Sequence, residues 1–145
     1  MSHGRSIDEV SGVIIDCALE IHKGLGPGLL ESVYETVLAT LLMERGFKVE
    51  TQKVVSFEFR GIHFENGLCC DLLVNNLVVV ELKSVERIIP VHQKQLQTYL
   101  RLMKKEVGLL INFGGATLKE GLQRVVNNFD GRDSSLKVNK DNSHG

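Results

Sequence analysis

The sequence predicts an α/β or α+β domain built as a three-layer sandwich, in which helices cover a mixed β-sheet in the order α-α-β-β-β-α-β-α. Two helix-period segments open the chain, and short apolar segments typical of buried strands follow them. No GxGxxG follows any predicted strand, which argues against a doubly wound dinucleotide-binding fold.

The 145 residues suit a single domain, which we place at residues 6–127 with flexible tails at 1–5 and 128–145. No apolar run approaches the roughly 18 residues of a membrane helix, and the N-terminus lacks the apolar stretch of a signal peptide. We therefore expect a cytoplasmic protein without membrane contact. The net charge of −1 gives no global positive field, so nucleic-acid binding would depend on a local patch or a second protein.

Two helices are predicted at the start of the chain, over Ser6–Lys23 and Leu29–Arg45. Apolar residues recur in both at spacings of three and four. Ser6 or Asp8 is the expected N-cap of the first helix. The glycine- and proline-rich stretch 24–28 ends that helix, so the two helices form a hairpin.

A β region follows over Phe47–Phe64, where apolar and polar residues alternate. Gly61 marks a turn, and Asn66-Gly67 marks a second turn or a bulge. Next comes a hairpin of two apolar strands over residues 71–83, turning at Asn75-Asn76. A strict two-residue turn would pair Asp71 with Val80, whereas a longer turn or a bulge would pair it with Glu81. If the two acids act together, we expect the longer turn or the bulge.

The remaining predicted elements are a helix over Val91–Lys104, a central strand over Val107–Phe113 and an amphipathic helix over Leu118–Phe129. Pro90 suits the first turn of the first of these helices. From Asn128 the chain is polar, and we expect disorder to Gly145.

The pattern Asp71…Glu81-x-Lys83 supplies the groups that a hydrolytic metal site requires. Two carboxylates can hold Mg²⁺ and leave room for water and a phosphate oxygen. A neighbouring lysine can position the attacking water and stabilise the transition state. The alternative is an ordinary strand end, with Glu81 and Lys83 paired and Asp71 at a solvated turn.

This pattern lies on consecutive strands of an α-β-β-β-α-β order, which resembles the core of the PD-(D/E)XK nuclease superfamily and implies its restriction-endonuclease-like mixed sheet. Gln95-Leu96-Gln97-Thr98-Tyr99 matches the QxxxY motif of that superfamily's exonuclease branch. The segment Gly28–Tyr34 resembles the signature of the GxxExxY family, which is assigned to the same superfamily. The resemblance extends over roughly residues 7–126.

The resemblance implies a role for each matching position. Metal ligands would be Glu31, Asp71, Glu81 and the carbonyl of Leu82; catalytic groups would be Asp71, Glu81, Lys83, Gln95 and Tyr99. The implied cofactor is Mg²⁺, with Mn²⁺ as a substitute, and no organic cofactor is expected. His92 lies one turn before Gln95 and could join this group.

Several of these residues also have structural explanations. Glu31 near a helix start could favour the helix dipole, and Tyr34 on an apolar stripe could be a core residue with a bonded hydroxyl. His92 near the start of its helix could be structural or solvated. A zinc site from Cys17, Cys69, Cys70 and His22 is disfavoured because no CxxC spacing supports it, and we expect free thiols.

One position departs from the family pattern, because Cys69 stands where a GxRxD arrangement has arginine. Two functions therefore remain open. The first is a Mg²⁺-dependent nuclease acting on nucleic acid, with DNA the expected substrate. The alternative is a catalytically inactive nuclease-like module that binds nucleic acid or protein. A homodimer or a larger assembly is a third expectation, made through apolar surface on the first helices.

Overall fold

The computed structural model describes residues 5–128 and 136–138. Its first two elements are helices α1 (Ile7–Leu25) and α2 (Glu31–Glu44), as predicted. The Ser6 side chain caps α1 by accepting the amide of Glu9 at 3.1 Å, which decides between the two predicted caps. No helix among the described residues is long and apolar enough to cross a membrane.

The described strands form one six-stranded sheet in the order β5-β4-β3-β2-β1-β6. They are β1 (Val49–Phe59), β2 (Ile62–Val74), β3 (Val78–Lys83), β4 (Val107–Asn112), β5 (Leu122–Val126) and β6 (Leu136–Val138). Strands β3 and β4 run parallel, and the other neighbouring pairs are antiparallel. Helix α3 (Pro90–Met103) connects the parallel pair, with Pro90 in its first turn as expected. The sheet is therefore mixed, as predicted.

Apolar side chains pack against both faces of this sheet. On one face, α1 and α2 bury residues such as Ile14 and Leu38 against Leu72 and Val80. On the other face, α3 buries Leu96 and its neighbours against a second cluster from β1 to β5. The three-layer α+β architecture is therefore confirmed. Strands β2 and β3 contribute buried apolar residues to both faces of the sheet.

The hairpin of β2 and β3 has the longer of the two predicted turns. Leu72 pairs with Val80 and Val74 pairs with Val78, so a three-residue loop separates the strands. Asn75 and Asn76 both adopt left-handed backbones, with φ of 52° and 56°. Asparagine tolerates this conformation better than most residues. Continuing the register places Asp71 opposite Glu81.

The predicted turn at Asn66-Gly67 is a bulge inside β2. Pairing moves from Val55↔Leu68 to Phe57↔Phe64, so β2 contains extra residues at this point. Gly67 lies under the ring of Phe57, where an added Cβ would come within 2.2 Å of a ring carbon. The missing side chain allows this close approach.

The predicted helix over Leu118–Phe129 is wrong. A short 3₁₀ turn (Lys119–Gly121) leads into strand β5, which pairs antiparallel with β4. Leu118 packs into the α1–α2 side of the sheet and Val125 into the α3 side. Apolar residues that resemble one helical stripe thus serve opposite faces, and pairing with β4 covers the edge that a helix would have left open.

The expected disorder from Asn128 is also wrong for residues 136–138. They form β6, which pairs antiparallel with Phe57–Phe59 of β1. The prediction for residues 1–4, 129–135 and 139–145 lies outside the described residues. The sheet consequently extends beyond the domain limit of residue 127 that composition suggested.

Candidate active site

Two acids face each other where strands β2 and β3 stop pairing. The Asp71 amide donates to Glu81 Oε1 at 3.1 Å, and the Leu82 amide donates to Asp71 Oδ2 at 2.8 Å. Each carboxylate therefore accepts a backbone amide from the opposite strand, just beyond the last ladder pair Leu72↔Val80. These two hydrogen bonds hold both carboxylates between β2 and β3, at the point where the two strands diverge.

Glu81 is the more perturbed acid of the pair. Its side chain is buried, with 6% of the residue exposed. Burial raises its pKa to about 8, the charge of Asp71 adds to the increase, and the Asp71 amide and the charge of Lys83 oppose it. A buried carboxyl beside another acid favours its protonated form until a cation arrives.

Lys83 lies at the end of β3 and is partly exposed. Within the described residues no ion pair under 4.0 Å joins it to Asp71 or Glu81. Its charge nevertheless lowers the pKa of Glu81. The alternative interpretation, in which Glu81 and Lys83 form a simple strand-end salt bridge, is therefore wrong, and no acid within residues 5–128 forms an ion pair with this ammonium.

Gln95 and Tyr99 lie together on α3, one helical turn apart. Gln95 Nε2 donates to the Tyr99 hydroxyl at 3.2 Å. Burial raises the pKa of Tyr99, and the charges of Glu81 and Asp71 raise it further. The shared helix face predicted from the QxxxY spacing is confirmed, and the tyrosine lies within electrostatic reach of both acids.

On helix α2, the acid that contacts this region is Glu35, which the sequence analysis did not single out. Glu35 Oε1 accepts from Gln52 Nε2 at 2.5 Å, and the same nitrogen donates to Asp71 Oδ1 at 3.3 Å. Burial raises the pKa of Glu35, opposed by its bond to Gln52, and the charges of Asp71 and Glu31 raise it further. Glu31 is exposed at the first residue of α2, so its predicted metal contact stays a prediction.

The spacing of Glu31 and Glu35 was the available signal for this second acid. Residues four apart share a helix face, so Glu35 lies on the same face of α2 as the motif residue Glu31. Gln52 gave no such signal, because its role depends on contacts between α2, β1 and β2 that are distant in sequence.

Cys69 occupies the position where the resemblance implied an arginine. Its exposed thiol donates to Gln52 Oε1 at 3.3 Å. Burial raises its pKa, as do the charges of Asp71, Glu81 and Glu35. The neighbouring negative charges therefore favour the neutral thiol.

The tyrosine of the GxxExxY-like segment is structural. Tyr34 is fully buried and stacks on Phe113 with ring centroids 4.3 Å apart. Its hydroxyl donates to Gly26 O at 2.6 Å and accepts the Leu29 amide at 3.1 Å. Ser84, directly after β3, donates to Leu29 O at 2.6 Å. Tyr34 thus fixes the loop that links α1 to α2, and Ser84 joins this loop to the end of β3.

His92 also has a structural partner. Its Nδ1 accepts the Ile89 amide at 3.2 Å, and its own amide donates to Ile89 O at 3.0 Å, so His92 caps the start of α3. An open depression of about 500 Å³ lies along this helix beside Gln95 and is lined by Val91, His92, Lys94, Gln95 and Thr98. A surface groove therefore continues from one predicted site residue along α3.

The disfavoured zinc site does not form. Cys17 packs against α2 and Cys70 against α3, on opposite faces of the sheet, and all three cysteines are free thiols. In residues 5–128, no three His, Cys, Asp or Glu side chains meet as a ready-made metal cage. Asp71 and Glu81 form an acidic pair in that range, and Gln52 links Asp71 to a third acid, Glu35.

Comparison with protein-family models gives a match to the PD-(D/E)XK nuclease superfamily over residues 8–125. This match covers all helices and strands from α1 to β5 apart from the ends of α1 and β5. Comparisons with curated proteins and with solved structures gave no significant match.

Proposed function

The chain belongs to the PD-(D/E)XK nuclease superfamily, and on this premise we propose that it is a Mg²⁺-dependent nuclease that hydrolyses phosphodiester bonds in DNA. Within the superfamily we assign it to the GxxExxY group, because Gly28, Glu31 and Tyr34 fit that pattern. The observation that carries the proposal is the pair of buried Glu81 and half-buried Asp71, each of which accepts a backbone amide. Lys83 follows two residues after Glu81 and forms no ion pair within residues 5–128.

The donor set fits a hard divalent cation. Asp71 and Glu81 supply carboxylate oxygens, the Leu82 carbonyl is a further oxygen donor, and Glu31 or Glu35 from α2 would act directly or through water. Burial, and then the charge of Asp71, raise the pKa of Glu81, and a bound cation would favour the ionised carboxylate against both effects. When bound, Mg²⁺ would acidify water and offset charge that develops on the phosphate.

The remaining side chains have roles that follow from their positions. Lys83 carries a positive charge at the strand end and would orient the attacking water and stabilise the charged transition state. Gln95 and Tyr99 are hydrogen-bonded to each other and offer an amide and a hydroxyl for a phosphate oxygen. Lys94 and Thr98, in the depression beside them, would contact the next part of the backbone.

Titration calorimetry tests the metal site first. We expect Mn²⁺ and Mg²⁺ to bind the wild type at pH 8.5, and Asp71→Asn and Glu81→Ala to lose at least tenfold in affinity. Glu9→Gln, an exposed acid on α1, is the matched control and should bind as the wild type does. Equal affinity in the wild type and Glu81→Ala would refute the assignment.

Cleavage assays then test the activity. Single-stranded DNA, duplex DNA and RNA of equal length should be compared with Mg²⁺, and Lys83→Ala should lose turnover while it keeps the cation. We expect DNA to be cut and Asp71→Asn to be inactive. If RNA alone is cut, the proposed substrate changes from DNA to RNA.

Cys69 favours a second candidate, a nuclease-like module that binds nucleic acid or a protein partner without cleaving it. The thiol brings no cation to a site that already holds three acids. Cys69→Arg discriminates between the two functions. The positive charge of the arginine side chain should raise turnover if the protein is a weak enzyme. Metal binding without cleavage in both proteins would support the binding module.

A further inference from the structure

Gln52 has an unusual backbone inside a strand. Its φ is 49°, in the left-handed region that residues other than glycine rarely adopt. Thr51 pairs with Leu72 and Lys53 pairs with Cys70, but no pair is formed between Gln52 and Asp71. The β1–β2 ladder is therefore interrupted opposite the candidate metal-binding acid.

The side chain of Gln52 uses both ends of its amide. Its nitrogen donates to Glu35 Oε1 at 2.5 Å and to Asp71 Oδ1 at 3.3 Å, while its oxygen accepts from the Cys69 thiol at 3.3 Å. It therefore connects helix α2 with β2. Backbone in this region is energetically unfavourable for a residue other than glycine and persists where surrounding contacts hold it.

Two carboxylates brought together need either a positive charge or hydrogen-bond donors between them. The amide nitrogen of Gln52 has two donors and no charge, so it lowers the repulsion without neutralising either acid. Asp71 Oδ2 is already fixed by the Leu82 amide at 2.8 Å. With Gln52 on Oδ1, both oxygens of Asp71 have a fixed donor, and each keeps a further lone pair.

We infer that Gln52 is a positioning residue for the metal site, which orients the Asp71 carboxylate and holds Glu35 towards it. The inference rests on the proposed function insofar as the site binds a divalent cation. A purely structural role for Gln52 would stabilise the interrupted β1–β2 ladder and leave ion affinity unchanged, so the two roles are separable.

The test uses the full chain and Mn²⁺ as the probe. Gln52→Gly removes the side chain at a φ that suits glycine, so folding should be kept. Gln52→Leu keeps an aliphatic side chain but has no hydrogen-bonding atoms. Arg60→Gly is the matched control, since Arg60 has a φ of 50° in the turn between β1 and β2.

If Gln52 positions the site, both Gln52 variants should bind Mn²⁺ at least about tenfold more weakly at pH 8.5, as expected when about 1.4 kcal/mol of orientation is lost. Arg60→Gly should bind as the wild type does. Unchanged affinity in both Gln52 variants, with a wild type that binds, would overturn the inference and leave the proposed function intact.

If the wild type binds no Mn²⁺, the proposed function fails, and a measurement without metal decides the remaining part of the inference, that Gln52 holds Glu35 in place. Thermal melting of Gln52→Leu, Glu35→Gln and the double variant at pH 8.5 gives the coupling of the two side chains. We expect Gln52→Leu to lower the melting temperature by about 3 °C more in the wild-type background than in the Glu35→Gln background. Additive shifts would overturn the inference.

Discussion

Glu81 links the stability of the fold to the chemistry proposed for the site. It is buried, its carboxyl accepts the Asp71 amide at 3.1 Å, and its pKa rises to about 8. Because the folded chain binds this proton more tightly than the unfolded chain, the stabilisation is complete below about pH 4.5 and is lost as pH rises through about 8. The proposed cation binding should follow the opposite course, because it requires the ionised form.

Glu81→Gln should therefore remove a pH dependence. Glutamine keeps an oxygen for the Asp71 amide and has no proton to lose. Between pH 4.5 and pH 8.5, the unfolding free energy of the metal-free wild type should fall relative to that of the variant by on the order of 4 kcal/mol. Urea unfolding at several pH values measures this difference. A constant difference across the range would show that Glu81 titrates normally.

Residue types and spacing predicted some of the residues of the candidate site and some of their contacts, but not all of them. Asp71, Glu81 and Lys83 stand out because charges at the ends of apolar strands need partners. Gln95 and Tyr99 follow from a four-residue spacing on one helix. Gln52 and Cys69 are polar residues at exposed strand positions, and only the packing of α2 against β1 and β2 gives them partners.

At the scale of the element, the connector between α1 and α2 depends on one hydroxyl. Tyr34→Phe would keep the stack on Phe113 but lose the bonds to Gly26 O and Leu29 N. We expect a loss of about 1–2 kcal/mol in unfolding free energy, as for a buried polar pair left without its partner. Chemical denaturation measures it, with Tyr99→Phe as the control. Equal losses in the two variants would contradict the bracing role.

The β2 bulge makes a second prediction at this scale. Gly67→Ala would place a Cβ 2.2 Å from a carbon of the Phe57 ring, so the ring must move. We expect a destabilisation of about 1–3 kcal/mol. Gly12→Ala is the control, because nothing lies within 4 Å of the added atom and alanine favours helix α1. Thermal melting should therefore shift in opposite directions for the two variants.

Element boundaries were predictable where one local signal dominated. Ser6, Pro90 and the paired asparagines each define an end or a turn by their own chemistry. The last segment was misassigned because its apolar residues have helical spacing: Leu118, Leu122, Val125 and Val126. This segment forms a strand because it can pair with the free edge of β4. The periodicity of a local sequence does not show whether such a pairing partner exists elsewhere in the chain.

At the scale of the whole molecule, one edge strand of the sheet comes from residues 136–138. Strand β6 pairs with Phe57–Phe59 and occupies the outer edge of the sheet. A chain ending at Asn128 should show faster amide hydrogen exchange at residues 57–59, because removing β6 takes away the strand that pairs with them. Exchange in β3 and β4 should not change. Uniformly faster exchange would indicate that β6 supports the whole fold.

The β2–β3 hairpin also sets an order in time. Asp71 and Glu81 are only ten residues apart, so the contact between them closes a short loop. The parallel pairing of Val78 with Val107 spans the whole of α3 and is slower to form. A nascent chain that has emerged as far as Lys83 already contains both acids, together with the residues of α2 and β1 that contact them. It still lacks the helix that carries the QxxxY pair. We therefore expect the half of the site proposed to bind metal to assemble during synthesis before the half proposed to receive the substrate.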